Sequence, residues 1–290
     1  MKVAVLGVGA TGREVARLCV HGGNEVSIHA GDPSAAMDAI DVIERHLEEA
    51  SDVRAPDVAL DATTGLAAAV SGAELVIETT VEDVDTLQER FAEVEDLVGR
   101  ETILATSQSS VSVTTAAAGL DHPGRVLGLR VHPDDAALVE VVTTDESEPD
   151  VFDRVASFVE SIGATPLFVG DTPGPVSARL AVAMEVEAMR LLEAGIADVE
   201  TIDDLLVTGY DHPVGPLERA DRIGLDSRLD LLEYLVSEVG EHYRPPDVLA
   251  ERVAVGKTGA NAGEGFYVWE NGEPTRPAVD GSDAGFAADM

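Results

Sequence analysis

Lys2-Val-Ala-Val-Leu-Gly7-Val-Gly9-Ala-Thr-Gly12, continuing into Arg-Glu-Val-Ala-Arg-Leu-Cys-Val20, is the stretch that decides how this chain folds. Its first residues form a short apolar run, partly β-branched, that ends in glycine, as a buried parallel strand does. After Gly9 the apolar residues recur at helical spacing. Between the two lies Gly7-x-Gly9-x-x-Gly12, and a glycine pattern of this kind acquires meaning from sitting between a strand and a helix. The first glycine permits a tight turn. The second lets backbone approach a pyrophosphate, and the third lets the helix pack closely on the strand. The helix N-terminus then offers N–H groups and a partial positive charge to phosphates. A dinucleotide site built on Gly7, Gly9 and Gly12 is expected.

The next strand, Glu25–His29, bears on which dinucleotide it is. An acidic residue usually closes this strand and hydrogen-bonds the adenosine ribose. Here the segment reads Val26-Ser-Ile-His-Ala30-Gly-Asp32, with Ala30 in the acid's place and Asp32 two residues on. No arginine is placed to receive a 2′-phosphate. NAD is the expected cofactor, held by Asp32 or by backbone.

Working outward, strands alternate with helical stretches. Pro33–Glu49 reads as a helix, Val58–Asp61, Leu75–Glu78 and Thr102–Ala105 as strands, and Val84–Val98 as a helix. Arg125–Val131, Leu138–Val142 and Thr165–Val169 are further strands, with a helix near Val151–Ile162. Such alternation predicts βαβ units and a parallel sheet. Asp171-Thr-Pro-Gly-Pro175 interrupts it. Beyond that point Val176–Ala194, Thr201–Val207, Gly215–Gly224 and Ser227–Val239 all read helical, and no strand run precedes Phe266. The fold class expected is α/β, a Rossmann-type parallel sheet followed by an all-helical domain. The expected limits are 1–172, 173–272 and a weakly ordered tail over 273–290, where Pro274, Pro277, Gly281 and Gly285 fall.

Composition bounds the function. The chain of 290 residues has room for two ordinary cores. No apolar run approaches the roughly 18–20 residues of a membrane span. The opening Met1–Gly7 is too short for a signal peptide and leads directly into the first strand. One cysteine, Cys19, excludes an intrachain disulfide and is expected on the buried face of the first helix. A cytoplasmic location is expected. Asp and Glu number 55 against 19 Lys and Arg, a formal net charge of −36, with only Lys2 and Lys257 as lysines. That field repels nucleic acid and anionic membrane, and no basic patch offsets it. The acid is spread over every amphipathic segment, so it is not a tail. At molar salt the Debye length is about 3 Å and most of the self-repulsion is screened. The composition resembles that of proteins from salt-accumulating halophiles and reads as adaptation to solvent.

Several segments combine into something more specific. Val76-Ile-Glu78-x-x-x-Glu82, Ile103-Leu-Ala-Thr-Ser-Gln-Ser109-Ser110, Val126-Leu-Gly-Leu129, Leu138-Val-Glu140-Val-Val142 and Asp171-Thr-Pro-Gly174 occur in this order. They are followed by His212-Pro-Val-Gly-Pro216, Ala220-Asp-x-Ile-Gly-Leu-Asp226, Tyr243-Arg-Pro and Gly263-x-Gly-Phe-Tyr267. In this the chain resembles the 3-hydroxyacyl-CoA dehydrogenase family from its first strand to about Tyr267. The resemblance implies a Rossmann domain, a helical domain through which subunits pair as a homodimer, and an active site in the cleft between them. It also implies a small-molecule substrate, an acyl-CoA thioester, and a histidine that removes the hydroxyl proton as hydride leaves for the nicotinamide. A glutamate orients that imidazole, which is sound chemistry because a carboxylate fixes the tautomer and stabilises the cation. By the same resemblance Ser109 matches the family's serine, Glu140 its glutamate, and Glu82 an acidic residue near the nicotinamide.

The remaining residues depart from the pattern. Where the family's strand runs from a Gly-aliphatic pair into His-Phe-Phe-Asn-Pro, this chain reads Gly128-Leu-Arg130-Val-His132-Pro133. Arg130 takes the histidine's place, and His132-Pro133 that of Asn-Pro. The family's asparagine after Asp-x-Pro-Gly is Ala178, and a lysine expected after Glu82 is Leu87. Three readings stay open. His132, two residues from Arg130 and on the same side of the strand, replaces the base. Alternatively Arg130 grips the carboxylate of a free hydroxy acid, which a guanidinium does bidentately although it is no base. Or the chemistry is lost and a nucleotide-binding sensor or scaffold remains. The serine run Ser107–Ser112 also suits a helix N-cap. No His, Cys, Asp or Glu cluster has metal-ligand spacing.

Overall fold

A computed structural model describes residues 1–49, 58–80, 83–108, 111–131 and 138–278. Contacts divide the chain into two compact units, one ending at Pro175 and one beginning at Val176. Pro173 and Pro175 lie at the division, and neither continues a helix from its N-terminal side.

The first unit is built on β1 (Lys2–Leu6), β2 (Glu25–His29), β3 (Leu60–Thr63), β4 (Leu75–Glu78), β5 (Ile103–Thr106), β6 (Val126–Val131), β7 (Leu138–Thr143) and β8 (Thr165–Gly170). They form one sheet in the order β3-β2-β1-β4-β5-β6-β7-β8. Every pairing is parallel except β6 with β7. The helices between them are α1 (Ala10–His21), α2 (Pro33–Glu49), α3 (Leu66–Ala69), α4 (Val84–Leu97), α5 (Val113–Ala116) and α6 (Pro149–Ser161). The order reverses between β1 and β4, the crevice where open α/β sheets take their ligands.

Strand alternation sorts the core into two layers. Val3, Val5, Leu127, Leu129, Val139 and Val141 point to one face, where they pack with Val15 and Cys19 of α1, Ile43 of α2 and Phe158 of α6. Ala4, Leu6, Val76 and Leu104 point to the other, against Leu87, Phe91 and Val94 of α4 and Val113 of α5. Cys19 is fully buried, and burial pushes its thiol up to about 12. Leu87 is a core residue of α4.

The second unit comprises α7 (Val176–Glu193), α8 (Val199–Tyr210), α9 (Pro216–Ile223), α10 (Leu225–Glu238), α11 (Asp247–Ala254), β9 (Tyr267–Glu270) and β10 (Glu273–Pro277). Its core holds Val186, Met189, Leu217, Leu232, Leu249, Phe266 and Trp269. Two buried carboxylates tie it together. Asp203 of α8 accepts from the amides of Leu217 and Glu218 at the start of α9 and from the Tyr267 hydroxyl, each at 2.9 Å. Asp221 of α9 accepts from the amides of Phe266 and Tyr267 and from the Trp269 indole. Burial raises the pKa of both, and these hydrogen bonds oppose it. A Cβ at Gly215 would collide with the Asp203 carboxylate, and one at Gly265 with that of Asp221. The His212-Pro-Val-Gly-Pro216 and Gly263-x-Gly-Phe-Tyr267 motifs are thus the receiving surfaces for two carboxylates.

Two expectations need correction. The helical unit is not all-helical, because β9 and β10 pair as an antiparallel hairpin. Residues 273–277 are therefore a strand rather than the start of a weakly ordered tail. Pro274 and Pro277 are tolerated there because β10 pairs on one side only. Among the described residues no helix is long and apolar enough to cross a membrane.

Candidate active site

The turn after β1 is set by its glycines. Gly7 has φ +119°, a conformation that L side chains rarely adopt, and a Cβ there would also strike Thr79 and Thr80. Those threonines follow β4. Thr79 donates to the Leu6 carbonyl from both its amide and its hydroxyl. Thr80 donates through amide and hydroxyl to Oε1 of the buried Glu78. The β1 and β4 loops thus press together at the point where strand order reverses. Gly12 is needed for a second reason, since a Cβ there would run into the Gly7 carbonyl. Gly9 differs from both: its φ of −66° suits any residue, and a Cβ would meet nothing within 4 Å. No part of the described protein requires glycine at position 9, whereas a dinucleotide phosphate lying against this backbone would. Gly9 is also the N-cap of α1, where no side chain caps the helix and no acid occupies the first turn. An anion therefore meets unopposed N–H groups there. These features fit NAD.

The other cofactor residues fare differently. Asp32 uses Oδ1 to accept from the amides of Ser34 and Ala35, so it caps α2, a role the sequence reading did not assign to it. Ala30 is buried, and its amide bonds the Thr63 carbonyl, completing the end of the strand in place of an acid. Glu82, Ser109 and His132 lie outside the described residues.

Arg130 and Glu140 are brought together. They are direct partners in the antiparallel β6–β7 pairing, on the face that carries α4 and α5. Glu140 is buried. The Arg130 Nη1 donates to the Thr106 carbonyl at the end of β5, at 2.5 Å. Its Nε finds no acceptor among the described residues. Burial pulls the guanidinium down to about 10, and the carboxylates of Glu140 and Asp171 oppose that shift. It stays cationic at neutral pH and cannot take a proton.

Asp171 is the residue sequence reasoning missed. It lies just beyond β8 and accepts from the Ser112 hydroxyl (2.7 Å), the Val113 amide (3.0 Å) and the Thr114 amide (2.8 Å). Burial alone would raise its pKa, but these bonds hold it below the usual carboxylate range. Ser112 in turn caps α5 by accepting from the Thr115 amide. The serine run does end in an N-cap, and the cap is Ser112. Among the described residues, no group of His, Cys, Asp and Glu is arranged to hold a metal ion.

Comparison with known proteins identifies the family. Residues 2–172 match the 3-hydroxyacyl-CoA dehydrogenase NAD binding domain, and residues 174–269 match the C-terminal domain of the same family. A probable 3-hydroxybutyryl-CoA dehydrogenase of Deinococcus radiodurans is 33% identical over 277 residues, spanning 92% of this chain and 99% of its own. The crystal structure of (S)-3-hydroxybutyryl-CoA dehydrogenase PaaH1 from Ralstonia eutropha superposes with a TM-score of 0.86 at 28% identity, covering 93% of this chain and 99% of that one. FadB2 of Mycobacterium tuberculosis superposes with a TM-score of 0.84 at 31% identity over the same shares.

Proposed function

The chain belongs to the 3-hydroxyacyl-CoA dehydrogenase family, and we propose that it oxidises the 3-hydroxyl of a short 3-hydroxyacyl-CoA, or reduces the corresponding ketone. When bound, NAD would supply the hydride acceptor for the oxidation, and NADH the hydride donor for the reduction. The chain's own residues bind that cofactor at Gly7, Gly9 and Gly12 and manage the hydroxyl proton. The observation that carries the reading is the cradle at the β1–β4 crevice. There Gly7 and Gly12 are demanded by the protein itself, and Gly9 leaves open space over an uncapped helix N-terminus.

In this reading His132 is the base. Arg130 is charged and unable to serve, whereas His132 follows two residues later, at the spacing that puts both on one side of an extended strand. Glu140 lies across from Arg130 on that side and would orient the imidazole. Ser109 would bind near the reacting oxygen, and Glu82 would stand near the nicotinamide. Asp32, although it caps α2 through Oδ1, retains Oδ2 for the adenosine ribose. The same reading includes a homodimer through the helical unit, cytoplasmic residence in a salt-rich interior, and no nucleic-acid or membrane partner.

The alternative in which Arg130 grips a free carboxylate has less support. Its cation already faces Glu140 and Asp171, so an incoming carboxylate would meet a site carrying two anions for one cation. Steady-state rates in molar potassium chloride decide between them. The thioester reading expects NADH oxidation with a short 3-oxoacyl-CoA and kcat/KM at least about a hundredfold lower for the free 3-oxo acid, because the remote CoA contacts contribute to transition-state binding. Preference for the free acid would install the Arg130 reading, and no turnover of either would leave a sensor or scaffold.

A further inference from the structure

The turn after β1 also carries a cation that the glycine motif does not include. Arg13 follows Gly12 in the first turns of α1, at the i+4 position from Gly9. Residues at that spacing share one side of a helix, and side chains lean towards its N-terminus. Arg13 accordingly reaches back along the side on which Gly9 leaves open space, and its Nε donates to the Val8 carbonyl at 2.6 Å. That bond anchors the guanidinium on the turn and leaves the Nη donors over. Among the described residues no acceptor meets them, and no carboxylate pairs with Arg13. Its neighbour Glu14 is engaged by Arg17 instead, accepting from Nε at 2.9 Å and from Nη2 at 2.6 Å, which holds that carboxyl below its usual range.

In the protein alone this is an unfavourable place for a positive charge. The N-terminus of a helix is itself partly positive, so it stabilises anions and disfavours cations. The chain holds 55 acidic residues against 19 basic ones, yet none of the acids lies in the first turn of α1. A diphosphate reverses the balance. It is attracted by the helix N–H groups and by a guanidinium, which takes phosphate oxygens with paired, charge-assisted donors.

We propose that Arg13 binds the diphosphate of the dinucleotide, with Nε anchored on the turn and the Nη donors directed to phosphate oxygens. The proposal rests on the reading of Gly7, Gly9 and Gly12 as the dinucleotide site. It adds a charged contact to a cradle otherwise made of backbone. The diphosphate, rather than either nucleoside, is then what this turn recognises.

Fluorescence titration with NADH, and displacement of bound NADH by ADP-ribose and by adenosine, test it on the full chain in molar potassium chloride. Arg13→Gln keeps a donor for the Val8 carbonyl and removes the charge. It should raise the dissociation constants of NADH and ADP-ribose about tenfold or more, the scale of a charge-assisted hydrogen bond, and that of phosphate-free adenosine less than about twofold. Arg13→Lys should recover part of the loss, because it restores the charge without the paired donors. The thermal midpoint without ligand should stay within about 2 °C in both variants, as for other surface changes. Unchanged NADH and ADP-ribose affinities in Arg13→Gln, or an equal loss for adenosine, would overturn the diphosphate contact. Gly9→Val separates this proposal from the reading beneath it. If Gly9→Val binds NADH as the native protein does, the dinucleotide lies elsewhere and Arg13 loses its role with the glycines. If Gly9→Val weakens NADH binding and Arg13→Gln does not, the site stands and Arg13 alone falls.

Discussion

Gly9 and Gly12 belong to one motif, yet they require glycine for different reasons, and substitution separates them. At Gly12 an added Cβ strikes the Gly7 carbonyl, a backbone atom that cannot turn aside. Gly12→Ala should therefore cost roughly 1–3 kcal/mol, the usual range for overpacking, and lower the thermal midpoint. At Gly9 an added Cβ would meet nothing within 4 Å, and the φ is ordinary. Gly9→Val should leave the midpoint within about 2 °C, as surface changes do. It should still weaken NADH binding at least tenfold, about 1.4 kcal/mol, in a fluorescence titration. Lost stability with retained binding at Gly9 would mean that the cofactor lies elsewhere. This motif was legible because glycine spacing records backbone geometry. Asp171 was not, because an acid after a strand reads only as part of a turn until the register shows that α5 starts beside it. The capping role of Asp32 was not legible either: an aspartate one residue before Pro33 suits a helix cap as well as a ribose ligand.

Some elements were legible to the residue, and most periodic helices to within a few residues at each end. Glu25–His29, Pro33–Glu49 and Leu75–Glu78 stand as the alternation and helical spacing predicted. The four-residue helices α3 and α5 span about one turn and have no period to detect. β10 was hidden by its two prolines, and α11 went unassigned. The helical unit was readable as helices but not as an assembly, since its pins join residues far apart in sequence, Asp203 with Leu217 and Asp221 with Phe266. Removing one pin tests that account. Asp203→Ala strands the amides that start α9 and the Tyr267 hydroxyl in a buried place. It should destabilise the unit by about 3 kcal/mol, the cost of leaving buried donors unmet. Tyr267→Phe removes one partner and leaves the amides satisfied, so about 1 kcal/mol is expected. Equal losses in denaturant titrations would show that Asp203 acts through the tyrosine alone.

At the scale of the whole molecule, the reversal of strand order between β1 and β4 forms the crevice proposed for the nucleotide, and β5, β6 and β7 supply Thr106, Arg130 and Glu140. Around this lies a surface whose net charge of −36 resists compaction and association unless salt screens it. The helical unit exposes Leu180, Leu205 and Tyr210 at 67%, 59% and 75% of their full areas, and the proposed homodimer would cover such apolar surface. Light scattering should find dimers in molar potassium chloride and dissociation or unfolding as salt is diluted, and a stable monomer at every salt concentration would contradict this. The central claim is the proposal that this chain carries out hydride chemistry on an acyl thioester with His132, not Arg130, as the base. Incubation of the protein with a short 3-oxoacyl-CoA and NADH deuterated at C4, followed by mass spectrometry of the product, tests it most directly. The account predicts a 3-hydroxyacyl-CoA carrying one deuterium at C3, formed by the native protein and strongly reduced in His132→Ala. Absence of deuterium at C3 with the native protein would contradict it.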